Sequence, residues 1–355
     1  MYFLINHLDL YINIMNEENK NASVFYWLLL ITFLVSLIIF IGGLTRLTDS
    51  GLSITKWDLF SGVIPPLTLD SWKAEFELYK NIPEYKIINP TMTLEEFKVI
   101  YLWEYAHRFL GRLIGIVYIL PLIYFNLKGL LPKKYLPSLY LIFVLILFQG
   151  FVGWFMVKSG LTERIDVSHY RLSLHLSIAF FILVFLVLIF LKYVNKSNFS
   201  YRKKIPFNLP IILLSFILIQ ISVGAFVSGL DAGQIYQTWP LMNETYFPND
   251  LKISDFFRKD LFSIPSMVQF IHRNIAYFIF ILFLIISIIV YKDKNLHYLK
   301  KYLILIFLTL SLQIFLGICT VLTGAQIQIA SMHQVGSIVL VIFSVLLVFK
   351  NSKTN

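Results

Sequence analysis

The chain has 355 residues, 58 % of them hydrophobic and 14 % charged, a balance that excludes an ordinary soluble globular domain and points to a protein crossing a membrane many times. Thirty Lys and Arg against 20 Asp and Glu leave a net charge of +10. In a soluble chain that excess would suggest nucleic acid, but here the positive charges fall in loops on one side of a bilayer, so no nucleic-acid partner is expected.

In chain order, the first 24 residues show no early Lys or Arg and no small-residue cleavage site, so neither a secretory signal nor an Arg-rich transit peptide is expected, and Met15 is an alternative start. Apolar runs of about 20 residues, the length that spans a hydrocarbon core, follow at 25–44, 107–126, 138–157, 174–193, 210–230, 268–290, 303–323 and 330–349. Between the first two lies a long segment, 45–103. In it Leu69, Trp72, Phe76 and Tyr79 fall at helical spacing before Pro83, predicting a short amphipathic helix on the mouth of the bundle. Thr93 followed by Glu96 is a capping box, from which the second span is expected to run unbroken through His107.

Loops after even-numbered spans hold Lys128, Lys133 and Lys134, then Lys192, Lys196, Arg202, Lys203 and Lys204, then Lys292, Lys294, Lys300 and Lys301, with Asp293 opposing them. The positive-inside rule makes these loops and both termini cytoplasmic and turns 45–103 and 231–267 outward. The simplest address is a bacterial inner membrane. One cysteine, Cys319, lies within an apolar span, so the outer loops have no disulfide.

Sliding the chain against itself by about 165 to 182 residues aligns its halves. Gly42, Asp49, Gly51 and Trp57 parallel Gly224, Asp231, Gly233 and Trp239; His107-Arg108 parallels His272-Arg273; Gln149 and Gly153 parallel Gln313 and Gly317. Four spans per copy give both copies the same orientation. The expected fold is therefore an all-α integral membrane protein of eight transmembrane helices, built as two tandem four-helix bundles related by pseudo-two-fold symmetry along the membrane normal. The divisions expected are a cytoplasmic tail at 1–24, a first bundle at 25–193, a cytoplasmic linker at 194–209, a second bundle at 210–349 and a tail at 350–355.

His107, His175, His272 and His333 each open an inward-running span, which sets all four near the outer face. Imidazoles at that depth are costly unless they bind something, and two helices can clamp one iron between them. Four residues after each comes a small side chain on the same helical face, Gly111, Ala179, Ala276 and Ser337, leaving room for a porphyrin. Structural zinc favours sets with cysteine, and a di-iron bundle needs more glutamates than Glu104 alone.

Bis-histidine ligation suits electron transfer, so His272 with His333, with no acid beside them, read as a fixed haem b site. The first half adds Glu104, one turn before His107 and replaced by Gln269 in the second copy. It reads as the reaction site, with Glu104 accepting protons. A surface ion pair between Glu104 and Arg108 is the plainer alternative. Arg46, Arg108, Arg112, Arg171 and Arg273 cluster near the outer mouth, where they could pair with haem carboxylates or simply anchor the interface. His169 is expected in a loop; His7 and His297 fall on the wrong side.

With those residues in place the chain resembles the haem A synthases, from about Phe25 to Phe349. The resemblance is carried by Gly42 to Ser53, Glu104 to Arg108, Tyr170 to Leu176, Phe270 to Arg273 and Met332 to Gln334. It implies oxidation of a methyl group of haem O to a formyl group by two hydroxylations and loss of water. Haem b would sit at His272 and His333, and haem O near His107, His175 and Glu104. Some members carry a cysteine pair in the first outer loop. This chain lacks it, like the type shared by proteobacteria and mitochondria. The implied partners are haem O, haem O synthase, a membrane electron donor, the lipid bilayer and a second copy of the chain. Two other readings stay open at this point: a b-type cytochrome drawing electrons from quinol, and a haem carrier. Haem O synthase itself is disfavoured, since no aspartate pair has the spacing of a magnesium-diphosphate site.

Overall fold

A computed structural model describes residues 21–56, 62, 64–163, 165–195 and 203–352. His7, Met15, Trp57, Lys196 and Arg202 lie outside the described residues. The described residues form helices and loops without a named strand, and eight of the helices are long and apolar enough to cross a membrane. In chain order they are α1 (Ala22–Leu47), α4 (Leu94–Leu127), α5 (Leu136–Glu163), α6 (His169–Val194), α7 (Leu209–Gly229), α8 (Pro265–Lys292), α9 (Lys300–Leu322) and α10 (Ile327–Ser352). Two shorter helices, α2 (Leu69–Tyr79) and α3 (Pro83–Ile87), occupy the segment after α1.

All eight expected spans are present, seven of them as helices longer than the apolar run and α7 equal to it in length. The largest extension is that of α4. Its start is fixed by the expected capping box: Thr93 Oγ1 accepts from Glu96 N, and Glu96 Oε2 accepts from Thr93 N at 2.8 Å. With 34 residues at about 1.5 Å each, α4 is about 50 Å long, well beyond the roughly 30 Å of a hydrocarbon core. Its first turns therefore stand clear of the apolar layer. There α2 and α3 pack as a cap, with Trp72 edge-on to Tyr101, Phe76 and Tyr79 against Phe97, and Tyr85 against Phe76 and Tyr79. These side chains and Val157 make a second apolar core separate from the main one. Leu69, expected on the same apolar face, is exposed, because α2 leans on α4 through its later turns.

The main core runs continuously through both halves of the chain. Half of the apolar window of α6, 44 % of that of α1 and 39 % of that of α10 are buried, against 17 % for α5 and 22 % for α9, so α1, α6 and α10 are central and α5 and α9 peripheral. The neighbours agree: α1 packs on α4, α6 and α10, and α7 packs on α6, α8 and α10. Several hydroxyls bridge the centre. Ser173 of α6 donates to the Ser222 carbonyl at 2.8 Å, and Ser177 and Ser222 share a hydrogen bond of 2.7 Å.

The ends of α1 and α7 match. Each is followed within two residues by an aspartate in the left-handed region, Asp49 and Asp231, both at φ 48°, a conformation that short polar side chains tolerate better than most. His169 departs from its expected place. It is the first residue of α6 rather than a loop residue, 9 % exposed, with Nε2 3.2 Å from Ser263 Oγ. Tyr170 reaches the same hydroxyl at 3.1 Å. The helix begins there because Ser168 lies in the extended region and Leu172 N bonds back to its carbonyl.

Candidate functional site

His107, His175, His272 and His333 lie on α4, α6, α8 and α10, each in the part of its helix nearest the two long loop segments. In every case the imidazole rests against a glycine of a neighbouring helix. A Cβ on Gly42 of α1 would lie 2.8 Å from His107 Cε1. The same construction gives 3.0 Å from Gly153 of α5 to His175, 3.0 Å from Gly224 of α7 to His272, and 3.1 Å from Gly317 of α9 to His333. A Cβ on Gly42 would collide with the ring, and at the other three the ring would have to give by a few tenths of an ångström, so these glycines let helix and imidazole approach as closely as they do. In the sequence the four glycines are markers of the repeat, and nothing local shows that they seat the histidines. Their alignment with the histidines was the available signal. The expected space-makers are less uniform, since Ala179 is itself buried and the Ser337 hydroxyl is turned to the Gln334 carbonyl at 2.6 Å.

Within the first half, the rings of His107 and His175 face each other with centroids 6.3 Å apart and planes at 66°. Two metal–imidazole bonds of about 2 Å, plus about 1 Å from each bound nitrogen back to its ring centre, also come to about 6 Å. In the second half, His272 and His333 stand on α8 and α10, each against its own glycine. All four Nδ1 atoms are buried with no hydrogen-bond partner in the protein, yet each residue keeps part of its surface accessible. That accessible surface must therefore lie on other atoms of the residue. Buried ring nitrogens are ordinarily satisfied, so four orphaned Nδ1 atoms, two of them on the neighbouring rings of His107 and His175, mark imidazoles that the protein's own hydrogen bonds do not account for. Among the described residues no three His, Cys, Asp or Glu side chains converge on one point.

Backbone anchors hold the ligand helices in place. Gln149 Nε2 donates to the His175 carbonyl and Gln220 Nε2 to the His272 carbonyl, both at 2.9 Å. Gln334, next to His333, donates to the Ile39 carbonyl of α1 at 2.7 Å, and its amide fills the space where a Cβ on Gly43 would stand. The adjacent glycines 42 and 43 thus contact, respectively, a histidine of one half and the neighbour of a histidine in the other.

Glu104 is buried, not at the surface. Its Oε1 pairs with Arg108 Nη2 at 2.6 Å, with both side chains under one-tenth exposed. Its Oε2 accepts from the Ser53 hydroxyl and from Ile54 N, each at 2.7 Å. Arg108 also donates to the carbonyls of Ile54 and Lys56 at 3.0 and 3.1 Å. The pair therefore clamps the segment from Ser53 to Lys56 across α4, one helical turn from His107. The second half repeats the clamp without the charge: Gln269 Nε2 and Arg273 Nη2 both donate to the Tyr236 carbonyl, at 3.1 and 3.0 Å.

Of the other arginines, Arg171 stacks on Phe155 with its guanidinium carbon 4.4 Å from the ring centre and donates to Ser159 Oγ. Arg112 is half-buried one turn beyond Arg108. Arg46 lies in the last turn of α1. It is 9 % exposed and ringed by Asp49 at 2.5 Å, Asp231 at 3.0 Å and Asp166 at 3.4 Å, and it also donates to the Ser228 carbonyl. Three carboxylates around one guanidinium compensate its charge, and Arg46 joins the ends of α1 and α7.

In the cap, Glu84 is 5 % exposed and its Oε2 is buried without a partner. Burial, and then the Glu104 carboxylate, push its pKa up to about 8, against a lowering hydrogen bond from the Tyr79 hydroxyl; Asp166 and Asp49 add to the rise. Below about pH 4.5 the group is protonated whether folded or unfolded and has no effect. As pH rises from there to about 8 the unfolded chain ionises first, so stability falls, at a limiting slope of about 1.4 kcal/mol per pH unit. Thermal unfolding of Glu84→Gln across that window should lose this component of the slope, and an unchanged slope would refute the assignment.

The chain matches the family profile described as cytochrome oxidase assembly protein over residues 25–345. It is 45 % identical over 337 residues to a protein of Pelagibacter ubique named Heme A synthase, covering 95 % of this chain and 99 % of that one. Proteins of the same name from Rickettsia bellii and Rhizobium etli are 42 % and 40 % identical over 322 and 331 residues, covering 88 % and 93 % of this chain and 94 % and 90 % of theirs.

Proposed function

The chain belongs to the cytochrome oxidase assembly protein family, and from that premise we propose that it works as a haem A synthase, oxidising the methyl group of haem O to a formyl group in a bacterial membrane. The observation that carries this reading is the set of four glycine-seated imidazoles in two pairs, the first with ring centres 6.3 Å apart. His272 and His333 hold haem b, and His107 and His175 hold the substrate haem. A bound haem would supply one-electron chemistry at each pair. Both termini are cytoplasmic and the pairs lie near the periplasmic face, as the lysine-rich loops indicate.

Glu104 is the acid that distinguishes the two halves. It keeps the segment Ser53 to Lys56 in place and takes up a proton at Oε2, where the Ser53 hydroxyl offers the exchange partner. Arg108, Arg171 and Arg273 face haem carboxylates. The two bundles are copies related by an axis along the membrane normal. Haem O synthase would supply the substrate, a membrane reductant the electrons, and a second copy of the chain is a candidate partner.

The test is to purify the protein from cells with and without haem O synthase and to identify the haems extracted from it. Haem A appearing only with haem O synthase supports the reading. Haem b alone under both conditions would favour a quinol cytochrome, and haem O retained unchanged would favour a carrier.

A further inference from the structure

At the opposite end of the molecule from the histidines, a cavity of about 690 Å³ opens where α9 begins and α10 ends. Its wall includes Lys300, Lys301, Lys350, His297, Tyr298 and Tyr302, and among the described residues no Asp or Glu lines it. The lysines are held by groups that leave their charge intact. Lys300 Nζ lies 4.7 Å from the centre of the Tyr291 ring and Lys301 Nζ 5.1 Å from that of Tyr302. Lys350 Nζ donates to Asn195 Oδ1 at 3.0 Å. Tyr298 is fastened by a 3.0 Å hydrogen bond to the Lys203 carbonyl, and Asp293, an acid of the same loop, is paired with Lys203 at 2.7 Å. The result is a concave surface on which three lysines converge, with no Asp or Glu among its described lining residues.

Its lip is apolar. Ile304, which lines the cavity, is 50 % exposed, and one turn further into the span Phe307 and Leu308 are 46 % and 59 % exposed on the same face of α9. A basic pocket opening onto a lipid-facing apolar strip has the chemistry of an amphiphile carrying an anionic head. We propose that this cavity binds the phosphate headgroup of an anionic phospholipid, with Lys300, Lys301 and Lys350 donating to the phosphate oxygens and an acyl chain lying along Ile304 and Leu308. Ordinary inner-leaflet lysines act as a diffuse field. Here three of them line one cavity, whose volume falls within the range of ligand sites. A free inorganic phosphate would use the same lysines but not the apolar lip.

The test uses the full-length protein, delipidated in detergent and then mixed with vesicles of phosphatidylglycerol, vesicles of phosphatidylcholine, or inorganic phosphate. Bound lipid is counted by native mass spectrometry, and the melting temperature is followed in parallel. Retained phosphatidylglycerol is expected, with a rise in melting temperature that neither phosphatidylcholine nor inorganic phosphate gives. Lys301→Gln alone, and Lys300→Gln with Lys301→Gln, should weaken retention at least tenfold. Lys133→Gln with Lys134→Gln, lysines of the same membrane side outside the cavity, should leave it unchanged. Equal loss in the Lys133 and Lys134 variant would show a diffuse charge effect and overturn the site. Equal stabilisation by inorganic phosphate would overturn the lipid assignment, and so would Ile304→Ser binding phosphatidylglycerol as tightly as the natural chain.

Discussion

Glu104→Ala is expected to destabilise the protein by about 3–5 kcal/mol, the cost of leaving a buried partner charge uncompensated. Arg108 would lose its carboxylate, and Ser53 and Ile54 would lose the acceptor that fixes their segment. Glu104→Gln should behave differently. The second half shows that an amide at this position can share a loop carbonyl with an arginine four residues on, so the glutamine variant should fold and keep both haems. It cannot take up a proton, and conversion of haem O should stop. Thermal unfolding, the haem spectrum and extracted haem A separate the two roles. Normal haem A yield from a folded Glu104→Gln protein would remove the acid from the chemistry and leave it only the clamp.

Gly42→Ala is expected to expel or tilt the His107 ring, because the new Cβ would stand 2.8 Å from Cε1, inside any ordinary contact. Gly224→Ala should do the same to His272, at 3.0 Å. Overpacking of this kind costs about 1–3 kcal/mol, which corresponds to a roughly 5- to 150-fold loss of haem affinity at the altered pair. Each substitution should act on its own half: Gly42→Ala should weaken the substrate site while the second-half haem is retained, and Gly224→Ala the reverse. Haem titration of the two variants measures this directly. Equal loss from both pairs in either variant would contradict independent sites.

Much of this arrangement is legible in the sequence, and the parts that are not have physical causes. The eight spans follow from apolar runs, which need no tertiary information. The start of α4 follows from Thr93 and Glu96, because a capping box is a local contact. The histidine pairs are legible because a costly residue recurs at matched depth. The glycines beneath them are not, since a close approach between helices depends on which helix becomes a neighbour. His169 read as a loop residue because the apolar run begins later, whereas its bond to Ser263 comes from the other half of the chain. The partners of Arg46 are likewise hidden from the sequence, because Asp166 and Asp231, which lie beside it, are distant along the chain.

The central claim is that two separate histidine pairs each hold one haem. Haem content and low-temperature electron paramagnetic resonance of His333→Ala and His107→Ala, purified alongside the natural chain after expression with haem O synthase, test it most directly. The account predicts that His333→Ala loses the low-spin signal of haem b and that His107→Ala retains it while forming no haem A. An unchanged spectrum in His333→Ala, or loss of both signals from each single variant, would contradict it.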